Sequence, residues 1–147
     1  MIRITTKGRY GTRIMLELAL DYGKGLTMLK DIARRQDISE RYLEQIIPSL
    51  KAAALIRSFR GSSGGYSLAR EPSKINMLEV ITALEGPISL VDCVGQPRSC
   101  ERTSICASRD LWCRLSKKII SELKKESLQD LVQKHKSKQE KPLMYNI

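Results

Sequence analysis

The chain is 147 residues long, 41% hydrophobic and 29% charged, and its 26 Lys and Arg outnumber 16 Asp and Glu to give a net charge of +10. That length suits one compact domain with a modest appendage and excludes two enzyme-sized domains. The charge favours polyanions, nucleic acid before an acidic membrane surface, although composition alone allows a protein that is merely basic.

From Gly8 to Tyr22 the apolar residues Tyr10, Ile14, Met15, Leu18 and Tyr22 recur at helical spacing and stop at Gly23 and Gly25, which predicts a first amphipathic helix. The same stretch is interrupted by Arg13, Glu17 and Asp21, so no secretory signal is expected there. No run in the chain approaches the roughly 20 apolar residues of a membrane span. The expected location is the cytoplasm, with no membrane partner. In a reducing compartment four cysteines are more often metal ligands or redox groups than disulfides.

Thr27 is positioned to cap a short second helix over Met28 to Arg35, with Gln36 and Asp37 making the turn that follows. Ser39 caps a third helix, with Glu40 in the first turn and a buried stripe of Leu43, Ile46, Ile47 and Leu50. Pro48 removes a backbone donor, which predicts a kink or an end to the helix near Ile47. Leu55 to Phe59 and Gly65 to Leu68 are short extended segments joined by the Gly61-Ser62-Ser63-Gly64-Gly65 turn cluster. Two helices joined by a tight turn and followed by a hairpin is the order of a winged helix, whose second helix enters the major groove while the hairpin reaches toward the minor groove.

Pro72 closes that unit, and Asn76 with Glu79 has capping-box spacing for a helix to about Leu84, stopped by Gly86-Pro87. Val91 to Ser108 lacks periodicity and reads as a loop carrying three of the four cysteines. Leu111, Leu115, Ile119 and Leu123 then recur every fourth residue among Lys and Glu, the pattern of a long helix whose one narrow apolar seam pairs with another chain. Ser127 and Asp130 open a final helix reaching about Lys134. The fold class is therefore mainly α with a small β-hairpin: a winged helix-turn-helix domain plus a long dimerisation helix. Residues 1–85 form the DNA-binding domain, with the helix-turn-helix at about 28–51 and the wing at about 55–69. Residues 86–108 are the cysteine-rich loop, 109–134 the dimerisation helix and short terminal helix, and 135–147 a flexible tail.

Six residues at the exposed start of the third helix are candidates for contacting double-stranded DNA: Ser39, Glu40, Arg41, Tyr42, Glu44 and Gln45. Arg41 suits a guanine edge or a phosphate, Gln45 suits adenine, and Glu44 can accept from cytosine N4. Ser39 or Tyr42 can hold a phosphate. Arg60, at the edge of the glycine-rich hairpin turn, is the minor-groove candidate. An isolated cation such as Arg34 or Arg57 is as readily a solvated surface group; the combination of capped helix, preceding helix and arginine-edged hairpin is what carries the reading.

Cys93, Cys100 and Cys106 are separated by six and then five residues, and Cys113 follows after six more. Zinc fingers favour close C-x2-C pairs, absent here, whereas wider spacing on a glycine-containing loop can wrap a multi-iron core held by thiolates. A thiol switch, a zinc site and incidental buried cysteines are the other readings. If the long helix starts just after Cys106, Cys113 lies about 10 Å along it and Asp110 about 6 Å, so Asp110 is the nearer fourth donor. His135, the single histidine, sits in the polar tail. No nucleophile–base pair or nucleotide-binding motif appears, so an enzyme acting through the thiols is the weakest reading.

The opening Ile4-Thr5-Thr6-Lys7-Gly8-Arg9-Tyr10, the block Ile38 to Gln45, the segment Arg60 to Tyr66 and the three-cysteine loop before Leu111-Trp112 together resemble the Rrf-two family of bacterial regulators, and within it the iron–sulfur cluster regulators. The resemblance runs from Met1 to about Lys134. It implies a homodimer paired through the long helix, an iron–sulfur cluster on Cys93, Cys100 and Cys106 with 2Fe-2S favoured over 4Fe-4S, and repression of iron–sulfur assembly genes. Relatives that answer to thiol redox state, zinc, iron or nitric oxide share the fold and are the alternative. The position three after the third cysteine is a histidine ligand in the best-known members and is Arg109 here. An arginine has no lone pair to offer, so the fourth ligand passes to Asp110 or Cys113.

Overall fold

The computed structural model describes residues 2–144, the last three by backbone alone. Helix α1 runs Thr6–Leu20, starting two residues before the predicted segment at Gly8, because the Thr5 side chain accepts from the Gly8 amide at 3.1 Å and caps it. Gly8 and Gly11 sit inside this helix where α4, Met77–Glu85, crosses it. A Cβ at Gly8 would strike the Glu85 carboxylate, and one at Gly11 the Leu84 side chain. The two glycines thus let two backbones approach at the cost of helix propensity.

Helix α2, Leu29–Gln36, starts one residue later than expected, and Thr27 is not its cap. Instead Thr27 is buried, exchanges two backbone hydrogen bonds with Tyr66 at 2.8 and 2.9 Å, and donates its hydroxyl to Asp21 at 2.8 Å. The long-range pairing satisfies both backbone groups at once, which a local cap could not. Asp37 makes the turn in the left-handed region at φ 52°, ψ 50°. Helix α3, Glu40–Ala52, is capped as expected by Ser39, which accepts from the Tyr42 amide at 3.2 Å.

Pro48 neither ends nor divides α3. It lies on the exposed face, where water can satisfy the carbonyl it leaves unpaired, while Leu43, Ile46, Ile47 and Leu50 are buried on the opposite face. Burying each of the four contributes about 1.5–3 kcal/mol, which together exceeds the ~3 kcal/mol penalty of an interior proline.

Strands β1, Ile56–Phe59, and β2, Gly65–Leu68, pair antiparallel with Ile56 opposite Leu68 and Phe59 opposite Gly65. Gly61 in the connecting turn has φ +110°, a conformation that favours glycine. One turn of 3-10 helix over Pro72–Lys74 leads into α4, whose Asn76 and Glu79 form a reciprocal capping box with both bonds at 3.0 Å. The segment read as a loop contains one helical turn, α5, Asp92–Gly95, and a 3-10 turn over Pro97–Ser99.

Helix α6, Ala107–Lys125, and α7, Leu128–Met144, complete the chain. Here the structure departs most from the sequence reading, in which 109–134 stands apart from the DNA-binding domain and 135–147 is a flexible tail. The Met77 amide donates to the Glu126 carbonyl at 2.8 Å and the Leu128 amide to that of Ile75 at 2.9 Å. Leu128 and Val132 enter the same core as Ile14, Leu18, Leu50 and Val80. The start of α7 is thus a wall of the winged domain, and the helix continues through 135–144; residues 145–147 lie outside the described residues. The predicted seam is divided in two: Leu123 packs on the core, whereas Leu111 and Leu115 remain 38% and 36% exposed. No helix among the described residues is long and apolar enough to cross a membrane.

Candidate nucleic-acid interface and cysteine segment

The cap at Ser39 fixes where α3 begins and so which side chains project from its first turns. Ser39, Glu40, Arg41, Glu44 and Gln45 are all exposed there, on one end of the helix. Tyr42 is half-buried: its ring meets Tyr10 of α1 edge-on, with centroids 5.6 Å apart at 89°. The tyrosine therefore has a packing role that its sequence position did not reveal. Arg60 is exposed at the hairpin turn beside the 48% exposed Phe59, at the rim of a 450 Å³ cavity that also reaches Met28, Lys51 and Tyr66.

The angle between α2 and α1 is held by a polar network. Arg13 donates to the Gln36 side chain at 2.6 Å and to its carbonyl at 2.5 Å, and the Gln36 amide donates to the buried Glu17 carboxylate. Arg35 joins both Glu17 at 3.2 Å and Asp21 at 2.8 Å. Burial pushes the Asp21 carboxyl up, but hydrogen bonds from Arg35 and Thr27 and the charges of Arg35 and Lys24 outweigh it and hold the group below its ordinary value. The Arg35 guanidinium is correspondingly raised, first by its bond to Asp21. Every buried side-chain polar atom among the described residues has a partner, so the network is fully satisfied and rigid.

Three cations near α3 were not among the DNA-contact candidates read from the sequence, although Lys7 and Arg9 lie in the Ile4 to Tyr10 segment that carries the family resemblance. Arg3, Lys7 and Arg9 line a cavity with Tyr42, and Lys7 donates to Ser49 of α3 at 2.8 Å. Density, three cations within seven residues, is the signal that could have found them.

The four cysteines are free thiols on the segment that joins α4 to α6 and on α6 itself. Cys93 is half-buried in α5, Cys100 is exposed after the 3-10 turn, Cys106 is half-buried at the N-cap of α6, and Cys113 is half-buried about two turns into that helix. The helix starts at Ala107, so Asp110 is about 6 Å and Cys113 about 10 Å along the axis from Cys106. Asp110 and Cys113 flank one shallow cavity together with Arg114, Lys117 and Lys118. Arg109 donates from Nε to the Cys93 carbonyl at 3.1 Å. The Cys106 thiol lies 3.2 Å from the Ser108 hydroxyl, which with the Arg109 amide holds it below its ordinary value.

Among the described residues no three His, Cys, Asp or Glu side chains are gathered as a metal site. The donor set nevertheless suits an iron–sulfur core chemically: three free thiols with wide spacing, one exposed and two half-buried. Two hydrogen bonds tie the connecting segment to α6, Arg109 to the Cys93 carbonyl at 3.1 Å and the Leu90 amide to the Ser116 hydroxyl at 3.3 Å, while the Thr103 hydroxyl bonds within the segment to the Pro97 and Cys100 carbonyls at 2.7 Å.

A turn-linked helix pair with an exposed polar face, flanked by an arginine-bearing hairpin, defines a winged helix-turn-helix DNA-binding regulator. The chain belongs to the Rrf2 family, described as iron-dependent transcriptional regulators, whose profile matches residues 4–134. It is 40% identical over 144 residues to the HTH-type transcriptional regulator CymR of Bacillus subtilis, covering 98% of this chain and 99% of that protein. The solved structure of CymR, the global cysteine regulator of B. subtilis, superposes with a TM-score of 0.77 at 43% identity over 90% of this chain and 98% of that one. The IscR of T. potens gives 0.74 at 36% identity over 91% of this chain and 88% of that one.

Proposed function

We propose that the protein is a cytoplasmic, homodimeric repressor whose DNA affinity follows the iron–sulfur state of the cell, acting on iron–sulfur assembly genes. The observation that carries this reading is the placement of Cys93, Cys100 and Cys106 on one lightly tethered segment between α4 and α6. Cys93, Cys100 and Cys106 hold the cluster, 2Fe-2S in preference to 4Fe-4S, with Asp110 or Cys113 as the fourth ligand. A bound cluster supplies a core whose assembly and oxidation state respond to iron and redox conditions.

The chain's own residues do the rest. Bringing Cys93 and Cys100 toward Cys106 draws the segment against the N-terminus of α6, the end that carries the exposed Leu111 and Leu115. A second copy covers those two leucines, and their displacement moves one DNA-reading face relative to the other. Linkage requires such a difference: ligation shifts DNA affinity only by favouring one dimer geometry over another.

A second reading has its own support. The Cys106 thiol is free, half-buried and held below its ordinary value by Ser108, which suits a thiol-responsive switch, and CymR, a cysteine regulator, is similar over nearly all of this chain. Iron and acid-labile sulfide stoichiometry with visible spectroscopy on anaerobically purified protein separates the two. Cluster sensing requires iron, sulfide and a chromophore that Cys106→Ala abolishes while the dimer stays folded. A colourless, iron-free protein with reversible disulfides establishes the thiol reading.

A further inference from the structure

The cavity beside α3 measures about 730 Å³ and is lined by Arg3, Thr5, Thr6, Lys7, Arg9 and Tyr42, with three cations and no carboxylate among them. Arg3 and Arg9 are exposed, and among the described residues neither forms an ion pair. Uncompensated positive charge around a concavity attracts an anion. The Arg9 guanidinium lies 5.7 Å over the Tyr10 ring, which in turn meets Tyr42 edge-on. That stacking restrains a side chain whose planar fork is suited to bidentate contact with an anion.

The cavity is mechanically part of the recognition helix. Lys7 reaches Ser49 of α3 at 2.8 Å, and Tyr42 is a residue of α3 and of the cavity wall at once. An anion held there is fixed relative to the side chains of Ser39 to Gln45. A backbone phosphate flanking the major groove that α3 enters has the required charge, geometry and position.

We propose that this cavity is a DNA-backbone clamp, in which Arg3 and Arg9 bind phosphates of the duplex and thereby set how α3 sits in the groove. The proposal rests on the DNA-binding reading and adds a site to it. Phosphate contacts position without reading sequence, so the clamp contributes affinity equally to any duplex. Each phosphate neutralised steepens the dependence of log K on log salt by about 0.9.

The test is binding of the full chain to an arbitrary-sequence duplex of about 30 base pairs between about 50 and 200 mM KCl. It compares wild type, Arg3→Gln/Arg9→Gln and Lys138→Gln/Lys141→Gln, the last removing the same charge from α7 outside the cavity. The cavity variant is expected to bind more weakly with a salt slope shallower by about 1.8 for each subunit on the duplex, and the α7 variant to keep the wild-type slope. Circular dichroism confirms that both stay folded, which exposed Arg-to-Gln changes permit. An unchanged slope in the cavity variant, or an equal change in the α7 variant, overturns the clamp while leaving DNA binding intact. A wild type that binds no duplex overturns the DNA reading and the clamp together.

Discussion

Arg109 donates its Nε–H to the backbone carbonyl of Cys93 at 3.1 Å, joining the first turn of α6 to α5. Arginine thus ties the cysteine segment to α6 through the Cys93 backbone. Removing the side chain in Arg109→Ala frees α5 at a cost of about 1 kcal/mol or less in global stability. Hydrogen exchange is expected to accelerate for the amides of Val94 and Gln96, which now donate within that turn at 3.1 and 2.8 Å, with little change in the core. Protection that stays constant there would show that the contact does not restrain the segment.

The α1–α4 contact depends on glycine. Gly11→Ala sets a methyl group against Leu84, an overpacking that costs about 1–3 kcal/mol and exceeds the ~1 kcal/mol that alanine returns in helix propensity. The urea midpoint is expected to fall. An unchanged or higher midpoint means that Leu84 moves aside freely.

Acid sensitivity follows from Asp21. Its folded-state value lies below the ordinary 3.8, so its stabilising contribution is fully present above 3.8 and is lost as pH falls through the lower folded value. Stability measured by denaturant titration from pH 7 to pH 3 is expected to decline at the acid end less steeply in Asp21→Asn than in wild type. Parallel curves would remove Asp21 from the account.

Dimerisation through α6 is tested where the helix is bare. Leu111→Glu/Leu115→Glu places charge at the two exposed leucines without touching the core, so the variant is expected to sediment as a folded monomer with weakened DNA binding. A dimer of wild-type strength would locate the interface elsewhere.

The elements legible in the sequence are those set by interactions three or four residues apart. Ser39, the Asn76–Glu79 box and the Ser127–Asp130 pair all cap their helices as their spacing predicts, because a cap is a local hydrogen bond. The misreadings are long-range. Thr27 looks like a cap until Tyr66 arrives from 39 residues away to pair with it, and Pro48 looks like a break until four buried neighbours hold its helix together. Tyr42 could be assigned to the DNA face, yet not its packing on Tyr10. At Arg109 the residue type excluded a ligand, but nothing in the local pattern pointed to the Cys93 carbonyl.

The pairing of Asn76 with Ser127 has a consequence for damage. The chain departs near Asn76 and returns beside it at Ser127, so the cysteine segment is a detour on a closed path rather than a tether between separate bodies. A protease cut between Gln96 and Ile105 would therefore produce two fragments that stay bound through Leu128 and Val132, and the face presented by α3 would outlast the break in the chain.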